Sequence, residues 1–164
     1  MKLKNLALAV CGMALLGACV APVDIPPEPT VDGLSLPVYG VEEVWQAKDY
    51  QGKPVLVAVM ATWCPWCKKS LTALDKTTAA YDGKVEVVGV FIDEDPALVE
   101  KVQKEYNIKS KVLYNGNAAA QELGVQGFPH IVLFDKKHKV AKVWSGFSPD
   151  LADQYAAEIN KLLK

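Results

Sequence analysis

The chain has 164 residues, of which 51% are hydrophobic and 23% charged, and its formal net charge is −1. All 18 basic residues are lysines, set against 19 acids, so no basic surplus exists for a nucleic-acid surface and no guanidinium for bidentate phosphate or carboxylate recognition. The apolar share supports one hydrophobic core, and internal repeats and long charge blocks are absent.

The chain opens on a short basic segment, Met1-Lys2-Leu3-Lys4-Asn5, followed by an apolar run over 6–16 and then Gly17-Ala18-Cys19. This reads as a secretory signal over 1–18, too short to span a bilayer as a helix. Its ending resembles the lipobox of bacterial lipoproteins: an aliphatic residue, two small residues and a cysteine. That resemblance implies cleavage before Cys19 and acylation of its thiol. The competing reading is an ordinary signal cut near Ala18 or Ala21, leaving Cys19 lost or free. Val20 stands where the lipoprotein sorting rule reads Asp as inner-membrane retention, so the rule favours the outer membrane. Loss of Lys2 and Lys4 with the leader makes the mature chain about two units more negative.

Of four cysteines, Cys11 leaves with the leader and Cys19 takes lipid, so Cys64 and Cys67 remain. One such pair in an exported protein suits an oxidising compartment, the periplasm. Residues 19–37 hold Pro22, Pro26, Pro27, Pro29 and Pro37 and read as an extended spacer, or less commonly as a peptide-docking stretch. A single domain is expected over 38–164.

Val41 to Tyr50 reads as a short helix or strand-turn, punctuated by Gly52-Lys53-Pro54. The short Val-rich run 55–60 reads as a buried strand, and the pattern Leu71, Leu74, Thr78, Tyr81 as a helix over 65–81. Cys64 and Cys67 therefore sit where a strand ends and a helix begins. Residues i and i+3 share a helix face, so the two sulfurs can meet without much backbone movement. The first helical turn offers unpaired N–H groups and the positive dipole end, which favour a thiolate. Cys64 is expected to be the nucleophile with a lowered pKa, and Cys67 the more buried resolving thiol. Pro65 suits the first turn, where its missing N–H is no loss. Lys68 and Lys69 add charge on exposed stems, and Trp63 is core or shapes the surface a partner meets. A zinc site fits poorly, since four ligands are needed and only His130 and His138 accompany the cysteines. A static disulfide would close too small a loop to stabilise much.

Asp82-Gly83 is a turn, and 85–92 a second buried strand. Asp93-Glu94-Asp95-Pro96 is expected to cap a helix reaching Tyr106, the acids lying at its positive end rather than at a metal. A short strand at 112–114 and a short helix over 117–123 follow. Gly127-Phe128-Pro129-His130 precedes the strand 131–134. Pro129 lacks a ladder donor, and a cis peptide bond is the natural way to seat it. Asp135-Lys136-Lys137-His138 makes a hairpin turn into the strand 139–144. Gly146 ends that strand, and Ser148-Pro149-Asp150 opens the last helix, 149–163. The order β-α-β-α, insert, β-β-α implies a central mixed sheet with helices on both faces.

These features together resemble the thioredoxin fold. Gly-Lys-Pro-Val-Leu-Val, Ala-Thr-Trp-Cys-Pro, Val-Val-Gly-Val, Asp-Glu-Asp and Leu-Gly-Val-Gln-Gly-Phe-Pro are similar to the TlpA/ResA group of membrane-tethered, extracytoplasmic thiol–disulfide oxidoreductases, over residues 38–164. The resemblance implies an α/β thioredoxin-like fold, a central mixed β-sheet flanked by helices, with a small helical insert over 93–114. It implies that Pro129 is a cis-proline packed against the disulfide, in a loop that binds extended substrate. Cys64 and Cys67 become the redox pair, with Trp63, Pro65, Trp66, Phe128 and Pro129 meeting substrate and no cofactor or metal required. Implied partners are exported proteins with disulfides, apocytochromes c among them, and a membrane reductase of the DsbD/CcdA type as electron donor.

The chain departs from family patterns at four places. Ala58 stands where thioredoxin has a buried Asp, and Ser70 where ResA-type proteins have Glu, so the proton acceptor for Cys67 is open. His130 stands where the group commonly has Thr; one reading pairs it with a thiolate or a substrate, and the favoured expectation is that it points into solvent. Trp66, between the cysteines, offers no hydrogen bond to a thiolate, which implies a less oxidising pair than the DsbA type. Two other classes stay open: a copper chaperone using Cys64, Cys67 and His130 as soft ligands, and a redox-inactive envelope scaffold.

Overall fold

A computed structural model describes residues 31–164. The leader 1–18, Cys19 and the spacer residues 20–30 lie outside them. Two short strands, β1 (Ser35–Pro37) and β2 (Val44–Gln46), pair antiparallel and lead into a 3₁₀ turn, Ala47–Tyr50. There follow β3 (Val55–Met60), α1 (Pro65–Ala80), β4 (Glu86–Phe91), α2 (Pro96–Tyr106), β5 (Lys111–Leu113) and α3 (Asn117–Glu122). The chain closes with β6 (His130–Phe134), β7 (Val140–Ser145) and α4 (Leu151–Leu163).

A five-stranded sheet has the order β5-β4-β3-β6-β7. β3, β4 and β5 run parallel, while β6 and β7 are antiparallel to their neighbours. β3 lies at the centre, and all six of its residues are buried. A strand covered on both faces reads as a continuous apolar run rather than an alternation, which is why Val55–Met60 lacks polar residues. Its side chains nevertheless divide by parity. Leu56, Ala58 and Met60 join one core with Cys64, Cys67, Leu71 and Leu74 of α1, Val99 and Val102 of α2, and Tyr155 and Ile159 of α4. Val55, Val57 and Val59 join the other, with Trp45, Ala119 and Leu123. Helices thus cover both faces, and the result is the thioredoxin-like α/β sheet expected, with α2 as the helical insert.

Local chemistry sets the helix ends. The Asp95 carboxylate accepts from Ala97 N at 2.9 Å to cap α2, and Asn107, in the left-handed region at φ 50°, ends it. The Asp75 carboxylate on α1 accepts from Lys109 N, Ser110 N and Ser110 Oγ, which anchors the α2–β5 turn against α1. The last helix, expected from residue 149, does not begin there. The Ser148 hydroxyl donates to the Asp150 carboxylate, and α4 starts at Leu151.

The domain boundary also moves. Val31, Leu34 and Leu36 are 0%, 3% and 5% exposed and pack in the second core. Tyr39 N donates to Val112 O at 2.9 Å, and Val38 bridges Leu113, so the N-terminal hairpin is fastened to β5. The spacer drawn over 19–37 therefore does not extend through 31–37. Those residues belong to the folded domain because their apolar side chains cover a sheet face that α3 alone leaves open. Among the described residues no helix is long and apolar enough to cross a membrane.

Candidate functional site

β3 ends at Met60, and the backbone turns through Ala61-Thr62-Trp63 into α1. Cys64 N donates to Ala61 O at 3.1 Å, which closes that turn. Cys64 is then the N-cap residue of α1, with extended backbone (φ −87°, ψ 113°) and Pro65 at the first helical position. Its sulfur serves as the capping acceptor: Cys67 N donates to Cys64 Sγ at 3.2 Å. A backbone N–H at the positive end of a helix thus points at this sulfur, which favours negative charge on it.

Cys64 and Cys67 are free thiols, 4% and 0% exposed. Burial, then the hydrogen bond shared with Cys64, pushes the Cys67 thiol well above its ordinary range. The two cysteines are therefore inequivalent: one caps the helix, and the other lies behind it with its thiol pushed up by burial. Neither departure position supplies a carboxylate beneath them. Ala58 is buried apolar core, and the Ser70 hydroxyl turns back to Trp66 O at 3.0 Å.

The rim is aromatic. Trp63 and Trp66 are 67% and 54% exposed, unusual for the largest apolar side chain. Trp63 meets Phe128 edge-on, with ring centroids 5.8 Å apart at 85°. The Phe128–Pro129 peptide bond is cis, as expected from the sequence. Trp66 stacks on Phe147 at 5.9 Å and 19°, and Lys69 Nζ lies 4.3 Å from the Trp66 ring centroid. Of the residues predicted to meet substrate, Trp63 and Phe128 come together, and Pro65 and Trp66 stand exposed beside Cys64. Sequence reasoning missed Phe147. The available signal was the β6–β7 hairpin: His130 opposes Ser145 and Gly146 N donates to Pro129 O at 2.8 Å, so residue 147 returns to the end of the sheet that carries Pro129. A groove of about 230 Å³ runs beside Thr62 and Trp63, past Lys68, to Leu98 and Val102 of α2.

Three readings from the sequence are corrected here. His130 does not point into solvent: it is 8% exposed, with Nδ1 at 3.5 Å from Ser145 Oγ. Along β6, Ile131 and Leu133 face the core that holds the cysteines, while Val132 and Phe134 face the other. Strand alternation places His130 with the latter pair, on the sheet face away from the thiols. The copper set of Cys64, Cys67 and His130 is therefore not assembled, and no group of three His, Cys, Asp or Glu able to hold a metal occurs among the described residues. Asp93, expected to help cap α2, leaves that to Asp95 and bonds Thr62 instead.

Burial holds His130 below the usual imidazole range. The unfolded chain then binds more protons than the folded one below pH about 6.5, so stability is lost as pH falls from there toward the lowered folded value. One proton sets a ceiling of about 1.4 kcal/mol per pH unit on the slope. Urea unfolding of the full chain between pH 7 and 5 is expected to show this loss, and His130→Gln to flatten it. An unchanged slope in that variant would place the titration elsewhere.

Comparison with known proteins agrees with this geometry. The Redoxin family model matches residues 37–159. The thiol-disulfide oxidoreductase ResA of Bacillus thuringiensis subsp. konkukian is 30% identical over 103 residues, covering 62% of this chain and 60% of that protein. The chain thus spans less than two thirds of that relative. The thiol:disulfide interchange protein DsbE of Haemophilus influenzae is 30% identical over 127 residues, 73% of this chain and 68% of that one. In fold, the chain matches a Chlorobium tepidum crystal structure assigned as a thiol:disulfide interchange protein DsbE, with TM-score 0.75 and 23% identity over 84% of this chain and 97% of that one. A family match over residues 37–159, which include the dithiol at the N-terminus of α1, means that this protein belongs to the Redoxin family, with ResA and DsbE proteins among its relatives.

Proposed function

We propose that the chain is a thiol–disulfide oxidoreductase that reduces disulfides of exported proteins through Cys64 and Cys67. The observation that carries this reading is the unequal dithiol: Cys64 Sγ caps α1 by accepting Cys67 N–H at 3.2 Å, and Cys67 lies fully buried behind it. Cys64 thiolate attacks one sulfur of a substrate disulfide, forming a mixed disulfide and releasing the other substrate sulfur as thiolate. Cys67, once deprotonated, attacks Cys64 Sγ, which frees the second substrate thiolate and leaves a Cys64–Cys67 disulfide. Two electrons pass from the pair to the substrate. Restoring the dithiol needs an external two-electron reductant, for which a membrane reductase of the DsbD/CcdA type is the partner implied by the family resemblance.

The exposed tryptophans favour a polypeptide substrate over a small molecule, because each offers a broad apolar face beside the sulfur. Pro65, Phe128 and Pro129 complete the contact surface in this reading, and apocytochromes c are one substrate class. The leader 1–18 and acylation at Cys19 would place the domain on the periplasmic side of a membrane, the outer one by the sorting rule. The test is stoichiometric. Reduced full chain mixed anaerobically with a protein disulfide should lose both thiols to an internal disulfide, detected by mass, as the substrate gains two. Thiols that survive undiminished would remove the function.

A further inference from the structure

The β3–α1 loop has to leave the sheet and seat Cys64 on the end of α1. Ladder pairing stops at Met60, so the N–H of Thr62 must find another acceptor. It finds Asp93, across the loop that leaves β4. Thr62 N donates to Asp93 Oδ2 at 2.9 Å, and Thr62 Oγ1 donates to Asp93 Oδ1 at 2.7 Å. Both carboxylate oxygens are thus engaged by one residue, two positions before Cys64, and charge-assisted bonds of this kind are the stronger class. Thr62 is 9% exposed.

The same residue ties in a third loop. Asp93 O accepts from Asn115 N at 2.8 Å, and the adjacent Gly116 N donates to Phe91 O at 2.9 Å. The approach is close: a Cβ on Gly116 would lie 2.5 Å from Val90 Cγ1 and 2.9 Å from Phe91 O. Asp93 therefore stands on a backbone held from both sides, able to act as a fixed point. Its role is not helix capping, since the Asp95 carboxylate already performs that for α2.

We propose that Asp93 is a positioning residue for the dithiol: through Thr62 it fixes the β3–α1 loop so that Cys64 Sγ stays on the N–H of Cys67. The inference rests on the redox role given to that pair above. It has a distinctive sign. Acting through position, Asp93 keeps the sulfur at the positive end of α1 and promotes thiolate formation. Acting as a bare negative charge, it would oppose thiolate formation.

The test compares wild type, Asp93→Asn, Thr62→Val and Thr62→Ser in the full chain. The pH profile of Cys64 alkylation by iodoacetamide is followed by mass spectrometry, with the label assigned to Cys64 by fragmentation. Asp93→Asn replaces one acceptor oxygen by a donor, and Thr62→Val removes the hydroxyl while leaving the charge. Both are expected to slow alkylation at pH 7 by about fivefold and to move the midpoint upward. The equilibrium with glutathione should shift toward the Cys64–Cys67 disulfide in the same two variants, because the dithiol loses thiolate stabilisation. Thr62→Ser, which keeps the hydroxyl, should restore the wild-type profile. A midpoint that moves down in Asp93→Asn, or a lower melting temperature with an unchanged profile, overturns the proposal. Wild-type Cys64 reacting as an ordinary free thiol would instead overturn the redox reading beneath it.

Discussion

Cys67→Ala is expected to turn the chain from a reductant into a trap that accumulates mixed disulfides through Cys64. Cys64→Ser should cut disulfide reduction by at least about a thousandfold, because the serine hydroxyl cannot replace a thiolate at neutral pH. The asymmetry follows from the site. Cys64 Sγ has a backbone donor aimed at it, and Cys64 lies along the chain between the exposed Trp63 and Trp66. Cys67 is fully buried and its thiol is pushed up by burial. It contributes only after the mixed disulfide has formed, when its attack releases substrate. In wild type that second step should speed up as pH rises, since only the Cys67 thiolate attacks and burial keeps that thiol protonated. Non-reducing gels of cells carrying Cys67→Ala would show the adducts, and the captured proteins would identify the substrate class. Adducts that form on Cys64→Ala rather than Cys67→Ala would exchange the two roles.

The second large effect is on stability. Trp45→Ala should cost about 3–5 kcal/mol, the usual range for deleting a buried aromatic side chain. Trp45 is 1% exposed, stacks on Tyr50 at 5.8 Å, and donates from Nε1 to Glu86 Oε1 at 2.9 Å. Lys111 Nζ reaches the same Glu86 oxygen at 2.8 Å and the Tyr50 hydroxyl at 2.8 Å. The substitution thus opens a void under the sheet and removes one donor from a four-residue cluster joining β2, β4 and β5. Against a typical domain stability of about 5–15 kcal/mol, the loss is large. Urea unfolding of the full chain measures it, and Trp45→Phe should recover part. A loss below about 1 kcal/mol would make the N-terminal hairpin peripheral, contrary to its packing.

Much of the fold was legible because its signals are local. The six-residue run at β3, the acid-capped start of α2 and the turn at Asp82-Gly83 each declare themselves within a few residues. The CxxC at a strand-to-helix junction did the same for the site, since spacing and the helix terminus act over one turn. Residues 31–37 were harder to read. Pro37 and the four prolines upstream gave them the look of a spacer, and nothing nearby reveals that Leu34 and Leu36 cover a sheet face built from residues far along the chain.

The amino-acid order by itself determined the element sequence from β3 onward and the cis Phe128–Pro129 bond, both consequences of neighbours within a turn or a strand. Tertiary structure alone decided which face His130 occupies, that Phe147 stacks on Trp66, and that Asp93 serves Thr62 rather than α2. Thr62 and Asp93 are 31 positions apart. They meet because β3 and β4 lie parallel and adjacent, which brings the loops at their carboxyl ends together. Strand order is set by burying both sheet faces at once, a condition on the whole chain that no short stretch of it expresses.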